Sequence, residues 1–344
     1  MKAAIVHAVD DVRVVEMAEP EPGPGEIVVA MRAVGLCGSD ITPWYVASKA
    51  PAVLGHETAG VVAKLGSGAG TDLREGDRVF VHHHTSCGQC RRCLRGDDVM
   101  CASWKPVRLH PGGLAERVRV SALSVSRDTL LLPAGMSFAQ GSLVEPVACA
   151  VKAVRRGNVR PGDTVAVVGL GSNGLLLGAL ARHAGAAHLV GSDPDPSRRA
   201  LARTHGFDAV CDPREQPLAT ALPEGADAVF VIPTVAEAVS QALDAAAPGG
   251  TVVFYSPIAR EKVWEIAPHG PYFRDLTLRF SYSSGPAETR EALSLLAAGV
   301  VTEESLYTHR LPLERAGEAF RLAARGGDVL KVLVTIGDAE TDGA

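Results

Sequence analysis

The residues best equipped for chemistry in this chain lie between Gly35 and Gly60. They read Gly35-Leu36-Cys37-Gly38-Ser39-Asp40-Ile41 and, after a short loop, Gly55-His56-Glu57-Thr58-Ala59-Gly60. A thiol, an imidazole and a carboxylate this close together can supply soft and borderline ligands to one zinc ion, leaving a fourth position open to water or substrate. That is the outline of a catalytic metal site. Taken singly, Cys37 also reads as a small buried hydrophobe and His56-Glu57 as a polar turn.

A second constellation follows. Cys87-Gly88-Gln89-Cys90-Arg91-Arg92-Cys93, with Cys101 after it, gives the spacing C-x2-C-x2-C-x7-C. Four thiolates so placed can wrap one tetrahedral zinc with no open position, which makes the site structural. A disulfide pair and an iron–sulfur cluster are the competing readings of such spacing. His82-His83-His84 precede this lobe at the expected end of a strand. Neighbours on an extended chain point to opposite sides, so the three cannot share one metal, and no ligand role is assigned to them.

The third constellation is Gly169-Leu170-Gly171-Ser172-Asn173-Gly174, directly after the apolar strand pattern Thr164–Val168 and opening the helical run Leu175–Ala184. Between a strand and a helix, G-x-G-x-x-G predicts a dinucleotide pyrophosphate site. The next strand, His188–Ser192, ends at Asp193, whose carboxylate suits the ribose hydroxyls of NAD and repels a 2′-phosphate. Arg198 stands near enough to lie against that ribose or to hold the phosphate of NADP, and NAD is the favoured cofactor. Asp193 as a plain helix cap is the bland alternative, given Pro194-Asp195-Pro196-Ser197 beside it.

Two kinds of element must position these groups. Up to about Val120 the chain is short Val/Ile-rich segments (Ala3–Val6, Val12–Val15, Ile27–Ala33, Gly60–Leu65, Arg78–His82) punctuated by Pro-Gly and Gly-Asp turns, which predicts a mostly antiparallel, barrel-like domain. From about Pro146 strands alternate with Ala/Leu-rich helices, the rhythm of a parallel sheet. Further strands are read at Ala228–Ile232, Gly250–Tyr255 and Leu276–Tyr282, five in all of an expected six-stranded sheet. The fold class is therefore α/β with a β-rich part.

With 344 residues, two domains are expected. Hydrophobic residues at 47%, charged residues at 21% and a net charge of -5 describe a packed globule with no basic face for nucleic acid. The start of the chain does not read as a secretory signal, and the apolar run Val165 to Ala181 is broken by glycines, Ser172 and Asn173, so no membrane span is expected. Cysteines spaced as metal ligands suit the cytoplasm. Cys149 and Cys211 read as inert core thiols.

Catalytic thiol, Gly-His-Glu, four-cysteine lobe and dinucleotide motif, in that order and with Glu145-Pro146-Val147-Ala148-Cys149-Ala150 between the last two, closely resemble the zinc-dependent medium-chain dehydrogenases. The branch most like it holds polyol (sorbitol-like) and threonine dehydrogenases. The resemblance implies a GroES-like β-barrel catalytic domain at residues 1–146 with the structural-zinc lobe at 84–104. It implies a doubly wound six-stranded Rossmann domain at 147–282, and a return segment at 283–344. It implies that Cys37 and His56 bind catalytic zinc, joined by Glu57, with Glu145 ligating directly or through water and Ser39 passing the substrate proton outward. Two zinc ions per subunit and a homotetramer or homodimer follow from it as well.

The expected reaction is interconversion of a secondary alcohol, a polyol, sugar or cyclitol, with its ketone by hydride transfer to NAD. An L-threonine 3-dehydrogenase and a non-catalytic nucleotide-binding relative are the alternatives. Thr42 stands where many relatives carry a relay histidine; its hydroxyl can pass a hydrogen bond but cannot hold a proton near neutral pH. Trp44 and Tyr45 are candidate walls of an open substrate cleft, and Lys49 a candidate polar contact.

Overall fold

The computed structural model describes residues 1–69 and 72–337. The chain divides into two compact units, one formed by Met1–Ala148 with Ser284–Ala344 and the other by Cys149–Ser283. The divisions thus fall after 148 and 283 rather than after 146 and 282.

The strands of the first unit before the division are β1 (Lys2–Ala8), β2 (Asp11–Glu16), β3 (Ile27–Gly35), β4 (Ala52–Val53), β5 (Glu57–Leu65), β6 (Arg78–Val81), β7 (Arg117–Val120) and β8 (Thr129–Leu131). The second unit holds β9 (Thr164–Val168), β10 (His188–Ser192), β11 (Ala209–Cys211), β12 (Ala226–Val231), β13 (Ala246–Phe254) and β14 (Thr277–Phe280), and the chain returns to the first with β15 (Tyr307–Pro312) and β16 (Lys331–Thr335).

In the first unit β3 is central. It pairs antiparallel with β5, β7 and β16, within a seven-stranded sheet of order β15-β16-β3-β5-β6-β8 with β7 beside β3. Its run Ile27-Val28-Val29-Ala30-Met31 is buried throughout, as a strand covered on both faces requires. The core around it gathers Val34, Leu36, Val62, Val79, Leu114, Phe320 and Val334 from strands far apart in sequence. β15 and β16 run parallel, the exception in an otherwise antiparallel sheet. The register places Gly35 opposite Glu57, which brings the Cys37 turn beside His56-Glu57.

The second unit is one parallel sheet of order β11-β10-β9-β12-β13-β14. In order along the unit this is 3-2-1-4-5-6, so the order reverses at β9, whose carboxyl end carries the glycine motif, where ligands of open α/β sheets bind. The sixth strand is β11, only three residues long and absent from the pattern-based reading. β14 forms one edge, with Leu278 37% and Phe280 56% exposed.

Candidate active site

After β3 the chain turns through a 3-10 segment, Gly38–Ile41, that begins at Cys37. Asp40 holds the turn: its buried carboxylate accepts the Cys37 N–H at 3.1 Å through Oδ2 and lies 3.5 Å from His56 Nδ1 through Oδ1. One carboxylate therefore braces both arms of the motif. The ligand atoms of Cys37, His56 and Glu57 all lie within 4.8 Å of one another. Burial alone would lower the His56 pKa, but the negative charge of Asp40 and of the Cys37 thiolate outweighs it and raises it well above the ordinary value. Surroundings that favour a proton on this imidazole also favour a cation, and thiolate, imidazole and carboxylate fit zinc.

Glu57, 1% exposed, is gripped from behind by residues the motifs do not mention. Lys331, at the start of β16, donates to Glu57 Oε1 at 2.8 Å and to the Leu36 carbonyl at 3.3 Å. Its Nζ lies 2.6 Å from Oε2, close enough for charge pairing though not aligned for a second hydrogen bond. A Cβ on Gly35 would stand 2.1 Å from Glu57 Oε2 and 2.7 Å from the Tyr307 hydroxyl, so only glycine admits the carboxylate there. Burial raises the Glu57 pKa, with Lys331 opposing; burial disfavours the Lys331 charge, yet Glu57 and Cys37 more than offset it and its pKa also rises. Tyr307 shares a 2.7 Å hydrogen bond with Ser142, and burial together with Glu57 raises its pKa well above normal.

Glu145, buried in the first turn of the helix Val144–Gly157, does not fall into the Cys37 group. Its carboxylate lies within 4.8 Å of the ligand atoms of His82 and His83, and its negative charge also acts on Glu57. The three histidines leave strand geometry because β6 ends at Val81 and the chain bends at His83, so the alternation assumed for an extended segment lapses. His82 Nδ1 pairs with Asp128 Oδ2 at 2.7 Å, and Asp128 Oδ1 accepts from Thr289 at 2.5 Å, all fully buried. His84 Nδ1 lies 2.7 Å from the Val107 carbonyl, and burial pushes its pKa down to about 4. Among the described residues the ring of His83 makes no protein hydrogen bond, and its Nδ1 is closed to solvent. An unmet buried polar atom of this kind costs about 1–3 kcal/mol. Burial lowers the His83 pKa well below normal and its histidine neighbours add to this.

Ser39 sits half-buried within the Cys37 turn. The Thr42 hydroxyl is engaged, donating to the Gly38 carbonyl at 2.7 Å. Trp44 and Tyr45 meet edge to face at 5.4 Å, and Lys49 lies over the Tyr45 ring at 4.0 Å.

In the lobe the sulfurs of Cys87, Cys90, Cys93 and Cys101 are separated by 3.5 to 3.9 Å along four edges. A tetrahedron with zinc–sulfur bonds of about 2.3 Å has edges of about 3.8 Å. A disulfide would need about 2.05 Å, and all four thiols are free. Trp104 and Val99 pack with Cys101 beneath them.

At the dinucleotide motif, Gly169 turns with φ +94, where a Cβ would meet Pro233 at 2.9 Å, and a Cβ on Gly174 would strike the Gly169 carbonyl at 2.0 Å. Around Gly171 there is open space, with only the Arg198 guanidinium at 4.0 Å. The helix Ser172–His183 begins there without a side-chain cap, so the N–H groups of Ser172, Asn173 and Gly174 suit an anion. Asp193 accepts the Leu170 N–H at 2.8 Å and the Asp195 N–H at 2.8 Å, one on each oxygen. The cap of the helix Pro196–Thr204 is Asp195, not Asp193. Arg198 Nη1 stands 3.8 Å from Asp193, while Arg199 binds the Asp193 carbonyl at 2.7 Å.

Residues 23–128 match the alcohol dehydrogenase GroES-like domain, and residues 173–298 match the zinc-binding dehydrogenase domain. Fold and site therefore define an oxidoreductase that joins a GroES-like unit to a Rossmann unit. The chain is 33% identical over 322 residues to L-arabinitol 4-dehydrogenase of Aureobasidium melanogenum, covering 88% of this chain and 84% of that one. It is 32% identical to sorbitol dehydrogenase of Gallus gallus, covering 95% and 94%. A zinc-binding dehydrogenase structure from Sinorhizobium meliloti, bound to NADP, superposes with a TM-score of 0.86 at 31% identity, covering 97% of this chain and 98% of that one. The chain belongs to the zinc-dependent medium-chain dehydrogenases, in their polyol dehydrogenase branch. Among the described residues no helix is long and apolar enough to cross a membrane.

Proposed function

We propose that this enzyme interconverts a polyol, sugar or cyclitol secondary alcohol with its ketone, using zinc at Cys37, His56 and Glu57 and NAD at the glycine motif. The observation that carries the reading is the convergence of those three ligand atoms within 4.8 Å, braced by Asp40 on one side and Lys331 on the other. Zinc bound there supplies Lewis-acid chemistry to the substrate oxygen, easing loss of the hydroxyl proton or, in reverse, polarising a carbonyl. Ser39, two residues after Cys37, receives the proton at its Oγ. Thr42 already donates to Gly38, and the onward path leaves by water, the cofactor ribose or another residue. Glu145 acts through a water beside the ligand group, in keeping with its place next to His82 and His83.

Asp193 supports NAD. With Leu170 and Asp195 on it, each carboxylate oxygen retains a lone pair for a ribose hydroxyl, and a 2′-phosphate would meet its charge. The substrate class draws support from the arabinitol and sorbitol relatives. The threonine alternative needs a free cation for the carboxylate, and the nearest loop candidate, Lys49, lies over Tyr45. The exposed apolar side chains of β14 and its open outer edge support a homo-oligomer, dimer or tetramer, formed by pairing of that edge. The cytoplasm is the compartment that suits seven free cysteines.

The test is NAD reduction, with NADP in parallel, by the zinc-loaded protein against sugar alcohols, cyclitols, threonine and simple alcohols. Turnover of a polyol or cyclitol with NAD supports the reading. Activity confined to simple aliphatic alcohols or to threonine overturns the substrate class, and preference for NADP overturns the Asp193 argument.

A further inference from the structure

The polyol reading leaves open what recognises the hydroxyls that do not react. Of the three consecutive histidines, two have protein partners: His82 is tied to Asp128 and His84 to the Val107 carbonyl. His83 has none. Its half-buried ring lies 4.9 Å from the ring of His56, centroid to centroid, and its ligand atom is within 4.8 Å of a Glu145 oxygen. Only Nδ1 of that ring is closed to solvent without a partner, which leaves Nε2 as the nitrogen a ligand can reach. A neutral imidazole offers one donor and one acceptor, which matches a hydroxyl in either of its hydrogen-bonding roles.

We propose that His83 is a specificity-determining residue that hydrogen-bonds a second substrate hydroxyl, adjacent to the one that reacts, and so selects polyhydroxylated substrates over simple alcohols. This rests on the reading that Cys37, His56 and Glu57 hold the catalytic zinc, because nearness to His56 is what puts His83 beside the reacting carbon. A site built to bind a hydroxyl rejects the analogue lacking it, because its polar groups are then stranded. A half-buried position should give discrimination on the order of 100-fold, below the upper range seen in closed pockets.

The experiment compares kcat/KM of the zinc-loaded enzyme with NAD on 2,3-butanediol and on 2-butanol, which differ by one hydroxyl, for the native protein, His83→Phe and His83→Asn. The native enzyme is expected to favour the diol by about 100-fold. His83→Phe should lose most of that ratio, falling much further on the diol than on 2-butanol, and His83→Asn, which can still donate and accept, should restore part of it. Zinc content and NADH binding are measured on each variant, so that a folding defect is separated from a change in preference. A native preference retained in His83→Phe overturns the role of His83 and leaves the polyol reading standing. No native preference overturns both. Loss of one zinc per subunit in His83→Phe also overturns the inference, since it would make His83 a metal ligand instead.

Discussion

The two cysteine-bearing regions of the first unit solve the same coordination problem in opposite ways. The lobe draws all four sulfurs from one stretch, Cys87 to Cys101, and surrounds them with their own neighbours Val99 and Trp104. The Cys37 group takes its ligands from the turn after β3 and from the start of β5, and the residue that controls its carboxylate, Lys331, lies 274 positions from Glu57. A closed site needs only a local loop that can wrap an ion. An open site must hold three ligands rigid while refusing a fourth, and that rigidity comes from packed strands rather than from the ion.

The comparison breaks most sharply at Cys37. Cys37→Ala should lower kcat/KM by about 10⁴-fold, roughly 5.5 kcal/mol of transition-state stabilisation, while mass spectrometry still finds the lobe zinc. Loss of both ions would show that the two regions are not independent. Next in size is Lys331→Met, which strands the buried Glu57 charge. Breaking such a pair costs about 3–5 kcal/mol, read as a fall in the urea unfolding free energy with the lobe metal retained. An unchanged unfolding free energy would mean that Glu57 takes up a proton at no cost.

Cys90→Ser in the lobe should reverse the pattern of Cys37→Ala. One zinc is lost and the melting midpoint falls by on the order of 3 °C, about what a loss of 2 kcal/mol does in a chain of this size, while the Cys37 site keeps its metal. The smallest effect concerns His84, which sits between the regions with its ring against Trp104 and His83. Its folded pKa of about 4 lies below the ordinary 6.5, so the folded state prefers the neutral ring. Its contribution is complete above pH 6.5 and is lost progressively as pH falls from 6.5 toward 4. His84→Gln should flatten the stability profile in that window; an unchanged profile would show that the imidazole titrates normally.

Much of this was legible in the residues because the chemistry is sequence-local. The lobe spacing and the glycine motif with its flanking strand and helix are each set within about one supersecondary unit. Lys331 was not legible: a lysine opening Lys331-Val332-Leu333-Val334 looks like an ordinary strand end, and only pairing of β16 with β3 carries it to Leu36 and Glu57. Tyr307 and Ser142 are hidden for the same reason. β11 escaped because three residues are too few to show alternation. The histidine triplet was read on the geometry of an extended chain, and that geometry ends one residue before His82. Glu145, grouped with Cys37, His56 and Glu57 on the resemblance, acts on Glu57 through its charge and also lies beside His82 and His83, a second neighbourhood that no motif announced.

The two hydrogen bonds that Asp193 accepts from Leu170 and Asp195 bear on how fast a dinucleotide can be captured. The glycine turn and the loop after β10 are already fastened to each other through one carboxylate, so neither of these two segments has to be ordered when the ligand arrives. Capture is then governed by diffusional encounter, and differences in residence time among cofactor analogues belong to the dissociation step.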